Sequence, residues 1–129
     1  PRSTPLYSSA ASDVYKRQLR ETIDWMLDTF KLEPGYAGAG ATALLEMMGL
    51  ICGGWMLARG AIEASKQIAR GTGESRFLSS KLVTARYFSE VHLSRASSLV
   101  GPIKNGGSGV MEFDSAQFRK TFTTVWGGK

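Results

Sequence analysis

The sequence predicts an all-α fold, a helical bundle of about three long helices with an antiparallel hairpin core and irregular tails. Two observations lead there. In ATALLEMMGLICGGWMLARGAIEASKQIAR, residues 41 to 70, nearly every position of the first half is apolar or small, and a helix hydrophobic all round is buried on all sides. On both flanks of that stretch apolar residues recur at steps of three and four, the period of an amphipathic helix. Two further helices cover only part of the central cylinder. A surface outside this chain is therefore expected to cover the rest.

The first eighteen residues, PRSTPLYSSAASDVYKRQ, lack periodicity and are rich in Ser and Pro, which reads as a disordered segment. The hexapeptide Asp13 to Gln18, DVYKRQ, also resembles the translated mosaic end of a transposon used in sequencing-library preparation, so 1–18 is read as a non-native adapter translation and set aside. The helical domain is expected over 19–122, with 123–129 as a tail.

The first helix is placed from Leu19 to Lys31, with Leu19, Ile23, Met26, Leu27 and Phe30 on one stripe and Arg20, Glu21, Asp24 and Asp28 opposite. Glu33, Pro34 and Gly35 end it, because proline cannot continue a helix and biases the preceding residue out of helical geometry. GYAGAGA, residues 35 to 41, is read as a small-residue connection. In the central helix Arg59, Glu63 and Lys66 are spaced for surface ion pairs, and Gly71, Thr72 and Gly73 form the turn that ends it.

A third helix is expected from Ser75 to Lys104, pairing antiparallel with the second. Leu78, Leu82, Ala85, Ser89, His92, Ala96, Leu99 and Ile103 make one stripe; Phe77, Thr84, Phe88 and Val91 make another. Gly101 and Pro102 should kink or fray its last turns. NGGSG, residues 105 to 109, reads as a flexible break. Beyond it come a short helix around Ser115 to Thr121 and an apolar Val125 and Trp126 that dock back.

The chain is one domain's worth at 129 residues, 43% hydrophobic and 21% charged, as in ordinary globular proteins. Of its net charge of +5, Arg2, Lys16 and Arg17 against Asp13 place +2 in the first eighteen residues. The remaining bases alternate with carboxylates along helices, which makes solvated faces and no groove for nucleic acid. The one cysteine excludes an internal disulfide, and Cys52, mid-helix among apolar neighbours, is expected to be a small inert hydrophobe. No secretory signal is visible, and the apolar run from Leu44 to Leu57 falls short of a membrane span and contains Glu46. A cytoplasmic location is the expectation.

No active site is legible. His92 is the only histidine, and Ser89 and Ser94 beside it lie on no strand-to-helix elbow, so a hydrolytic triad is excluded and a structural helix histidine remains. One His and one Cys on different helices with scattered carboxylates give no metal-ligand spacing. NGGSG lacks the Lys-Ser/Thr of a phosphate loop, and GTGES is a turn. Glu46 is the one acid inside the most apolar stretch, where burial would raise its pKa; pairing with a nearby cation is the ordinary outcome. Catalytic, cofactor-binding and metal-ligating residues are accordingly all assigned as none.

LRETIDWML (19–27), AGAGATALLEMMGLICGGWMLARGA (37–61) and FLSSKLVTARYFSEVHL (77–93), followed by Ala96, Leu99, Ile103 and Met111, resemble the C-terminal extension domain of long acyl-CoA dehydrogenases, the group that includes the methylmercaptopropionyl-CoA and fatty acyl-CoA enzymes. The likeness covers about 100 of the 129 residues, and rests on packing residues. Ser94 stands where the family commonly has proline, and Leu44 where it commonly has an aromatic. The resemblance implies a parent flavoprotein that oxidises the α,β bond of an acyl-CoA thioester, with an upstream glutamate as base, FAD as hydride acceptor and an electron-transfer flavoprotein as electron acceptor. It implies that this part is helical, carries no catalytic residue, binds no FAD itself and packs on the upstream catalytic body of the same polypeptide in a homo-oligomer. The alternatives drawn from the residues are a free-standing helical interaction or dimerisation module and a membrane-surface module.

Overall fold

The structure is a computed structural model that describes residues 9–117. It is an all-α helical bundle. Helix α1 runs Ser9–Leu32, α2 Pro34–Arg70 and α3 Ser75–Tyr87; a π-helical turn at Phe88–His92 and a 3-10 segment at Leu93–Leu99 then lead into α4, Val100–Glu112. Both α1 and α3 pack on α2 without packing on each other, and α4 returns along the first half of α2.

Helix α1 begins at Ser9, ten residues before the expected start at Leu19, so the ordered helix includes most of what reads as a disordered tail. Its buried face is also rotated. Thr22 lies at its centre at 1% exposure, flanked by Tyr15, Gln18, Leu19, Trp25 and Met26, whereas Leu27 and Phe30 of the expected stripe are 55% and 59% exposed. A buried threonine hydroxyl needs a partner, and Thr22 Oγ1 donates to the Gln18 carbonyl at 2.7 Å. A polar residue at the middle of the buried face is what the apolar periodicity could not reveal.

Only Glu33 separates α1 from α2. Pro34 does stop α1 but opens α2 in the first turn, where its missing N–H has no intrahelical partner to lose. The expected connection GYAGAGA is therefore helical. Its glycine content reflects contact: a Cβ on Gly40 would lie 2.6 Å from the Ile103 carbonyl oxygen, and one on Gly107 would lie 2.7 Å from the Tyr36 ring. Helices α2 and α4 thus cross with backbones touching, and NGGSG is one wall of the crossing rather than a flexible break. The predicted turn at 71–73 is present. Gly71 has φ +68°, and Gly71 N–H and Thr72 N–H donate to the Ile68 and Gln67 carbonyls at 3.1 and 3.0 Å, satisfying carbonyls at the helix end.

The expected third helix is continuous in path but not in type, changing from α to π to 3-10 and back to α across Ser75–Glu112. Its first stripe holds. Leu78, Ala85, Ala96 and Ile103 are buried, and Leu82, Ser89, His92 and Leu99 are half-buried. Of the second stripe, Phe88 fills space beside Gly53 and Gly54, but Phe77 and Val91 are 55% and 43% exposed. Pro102 sits in the first turn of α4 and begins a helix instead of fraying one. A helical turn does open at Ser115: Asp114 Oδ1 accepts from Ala116 N–H at 3.1 Å and Gln117 Oε1 accepts from Asp114 N–H at 3.2 Å, a reciprocal cap. The rest of that expected helix, with Val125 and Trp126, lies outside the described residues.

The core is Met47, Ile51, Ala96 and Ile103, closed by Leu19, Met26, Leu44, Leu93 and Leu99 among others. The α2–α3 half of the hairpin is held by smaller side chains, Ala61 and Ala64 with Leu78 and Ala85. Three glycine substitutions test this arrangement. Gly40→Ala is expected to destabilise the chain by about 1–3 kcal/mol through overpacking against backbone, whereas Gly106→Ala, which meets nothing within 4 Å, raises stability by about 0.5–1 kcal/mol through helix entropy. Thermal melts followed by circular dichroism report both. Gly71→Ala is expected to lower stability by about 1 kcal/mol, the cost of a left-handed conformation in a residue with a Cβ, measured in the same melts.

Candidate interaction surface on the central helix

Each chemistry-bearing residue singled out in the sequence is placed without a reactive neighbour set. Glu46 is not buried. Its Oε1 accepts from Arg95 Nη2 at 2.9 Å, with the two side chains 46% and 59% exposed, so it links α2 to the 3-10 segment and contributes up to about 1 kcal/mol as a surface pair. His92 is half-buried in an aromatic corner, edge-on to Tyr87 at 5.7 Å and tilted on Phe88 at 5.4 Å. Ser94 Oγ donates to the Glu90 carbonyl at 3.3 Å and is spent on local helix geometry. Among the described residues no three His, Cys, Asp or Glu side chains converge.

The expected ion pairs at Glu63 do not form. Gln67 Nε2 donates to Glu63 at 3.2 Å, and the Arg59 guanidinium lies over the Trp55 ring at 4.9 Å. Stacking on an aromatic face covers part of an exposed indole, a contact worth about 0.5–1 kcal/mol at a surface. Cys52 also departs from expectation. It is exposed, not buried, because the side of α2 that carries it has no partner among the described residues.

That side is the most distinctive surface of the molecule. Going once round α2, Met47, Ile51 and Gly54 face the core, while Leu45, Met48, Cys52, Trp55 and Met56 lie on the other side at exposures that reach 70% for Leu45 and 59% for Met56. Leu45, Met48, Cys52 and Met56 follow the three-and-four spacing of one helix face. Gly38, Gly49 and Gly60 lie along it too, eleven residues apart and so just over three full turns, and a Cβ on any of them would meet nothing within 4 Å. The face turns charged at Arg59 and Glu63. An apolar groove of about 340 Å³ between α1 and α2 runs beside it, with Leu19, Ile23, Ile51, Cys52 and Trp55 in its walls and Lys16 and Arg20 at its rim.

Helix α2 extends well beyond the run from Leu44 to Leu57 and as a whole is long and apolar enough to cross a membrane by length and composition. Its inner side is nevertheless occupied by protein along most of its length, from Ala37 to Ala64. What remains open is one apolar face, half a cylinder wide.

Comparison with known proteins gives this surface a setting. A family model described as "Acetyl-CoA dehydrogenase C-terminal like" matches residues 10–114, that is, all four helices. The 3-methylmercaptopropionyl-CoA dehydrogenase of Ruegeria pomeroyi is similar, 30% identical over 89 residues, which is 69% of this chain and 15% of the relative. No solved structure matches. The chain thus spans a small fraction of the relative it resembles, and the shared segment is the helical bundle just described. With the model matched from the second residue of α1 to past the end of α4, this chain belongs to the acetyl-CoA dehydrogenase C-terminal-like family.

Proposed function

We propose that this chain is the C-terminal domain of an FAD-dependent acyl-CoA dehydrogenase, noncatalytic in itself, whose role is to pack on the catalytic body of the same polypeptide. The observation that carries the reading is the family match over residues 10–114 beside a relative six or seven times the length of the matched segment. The relative's name supplies the substrate class, an acyl-CoA thioester, and the family supplies the reaction, oxidation of the α,β bond. The base, the flavin and the contacts to an electron-transfer flavoprotein belong in this reading to the upstream body, and the parent enzyme is a cytoplasmic homo-oligomer.

The residues described here do not fit FAD. A dinucleotide-like cofactor needs a cleft with backbone or side-chain donors for its pyrophosphate. The groove between α1 and α2 is open and its walls are apolar, the hollow at Arg59, Glu63 and Lys66 is open as well, and the α2 N–H groups are used inside the helix. No catalytic step is therefore assigned to these side chains. Their contribution is packing area: Leu45 and Met56 lie uncovered on a helix whose opposite side forms the core, and burial of such side chains contributes about 1.5–3 kcal/mol each.

The reading is tested at the gene. Genomic sequence upstream of this segment is expected to continue in frame through a flavin-binding body that ends in this domain; a start codon preceded by stops directly before α1 would defeat it. Expressed alone, the 129-residue chain is expected to purify colourless, without oxidase or dehydrogenase activity on acyl-CoA. A yellow, active preparation would sink the proposal.

A further inference from the structure

We infer that the open face of α2 from Ala41 to Met56 is the seat of an apolar helix of the catalytic body, and that the two backbones approach most closely at Gly49. The inference rests on the C-terminal-domain reading and adds the face, its limits and its geometry. Leu45, Met48, Cys52 and Met56 form one stripe, all exposed, on the helix whose opposite stripe is the core of the bundle. The stripe is apolar for about 23 Å at 1.5 Å per residue, the length of one helix crossing, and ends where Arg59 and Glu63 return the face to water. Gly49 interrupts it midway, with open space where its Cβ would be. Gly40 and Gly107 show how this chain uses such residues when a partner is present: each has backbone or ring within 3 Å of the missing Cβ.

Charge opposes a parallel second copy as the occupant. A parallel pair would set Arg59 against Arg59. The length of polypeptide outside the matched segment, 85% of the relative, supplies the alternative: a larger body whose own apolar helix meets only the uncharged part of the stripe.

Cys52, the only cysteine and at the middle of the stripe, reports occupancy directly. Two proteins are compared: the 129-residue chain, and the Ruegeria pomeroyi dehydrogenase with this domain in place of its matching segment. Alkylation of Cys52 by N-ethylmaleimide, followed by mass spectrometry of its peptide, is expected to be at least about tenfold slower in the chimaera. Ala69→Cys, at the exposed end of α2 past Arg59 and Glu63, in a Cys52→Ala background is the control and is expected to react alike in both. Gly49→Leu and Leu45→Glu are expected to restore Cys52 reactivity in the chimaera while leaving the melting temperature of the isolated chain unchanged or higher.

Equal Cys52 reactivity in the isolated chain and in a flavin-loaded, active chimaera overturns the inference and leaves the domain assignment standing. A chimaera without flavin or activity, beside an active parent, removes the domain assignment and the inference with it. Concentration-dependent protection of Cys52 in the isolated chain assigns the face to a second copy. Protection by phosphatidylglycerol vesicles, lost on Leu45→Glu, assigns it to a lipid surface; either result overturns the inference.

Discussion

The central constraint on this molecule is a helix with no polar side along its first half. An amphipathic helix needs one apolar neighbour, but α2 needs cover all round, and a bundle of this size supplies it on one side only. Helices α1, α3 and α4 are all spent on that side, where Met47 and Ile51 are closed off from water. The other architectural features follow from placing three helices against one. Helix α4 can share the first half of α2 with α1 because glycines let it approach to backbone contact, and α3 can line the second half because alanines 61, 64 and 85 keep that contact thin.

The return path from Ser75 to Glu112 shows how such a wrap is sustained. A straight helix would drift off the α2 surface, yet the stripe from Leu78 to Ile103 stays on it through three changes of helix type. The π turn at Phe88–His92 is wider than an α turn and the 3-10 segment at Leu93–Leu99 tighter, so the twist lost in one is recovered in the other and Ala96 and Ile103 come back into register with Leu78 and Ala85. The π turn also brings Phe88 and Leu93 over Gly53 and Gly54. His92, the residue with the most chemical potential in the chain, is held against Tyr87 and Phe88 by this same detour, and its position is explained by packing alone.

Much of this was legible in the residues, and the failures share a physical cause. The all-α class, the apolar central helix, the antiparallel hairpin, the Gly71 turn and the eight-residue stripe on the return path all follow from period and end signals, which are local properties. The sequence reading failed where tertiary contact overrides local preference. GYAGAGA and NGGSG are poor helix formers in isolation and are helical because each lies at the α2–α4 crossing, where absent side chains permit contact. Thr22 is central to α1 because its hydroxyl closes on its own backbone, which hydropathy does not register. The candidate surface was legible as a demand for cover, but which side of α2 stays open depends on where three helices settle. Cys52 accordingly came out exposed where its apolar neighbours pointed to burial, whereas Glu46 found the cation expected of it in Arg95.

The placement of the remaining apolar residues favours the proposed reading, a domain of a larger protein, over a self-sufficient module. Helices α1 and α3 flank α2 and do not meet, and each carries exposed apolar groups of its own: Leu27 and Phe30 on α1, Val83 and Tyr87 on α3, both pairs above half exposed. A twofold dimer contact covers one patch per copy. In the proposed reading a catalytic body that continues the same polypeptide covers the patches on α1, α2 and α3 without any entropic cost of bringing two molecules together, and the absence of a legible reactive constellation among the described residues is the expected property of a domain whose side chains are committed to packing.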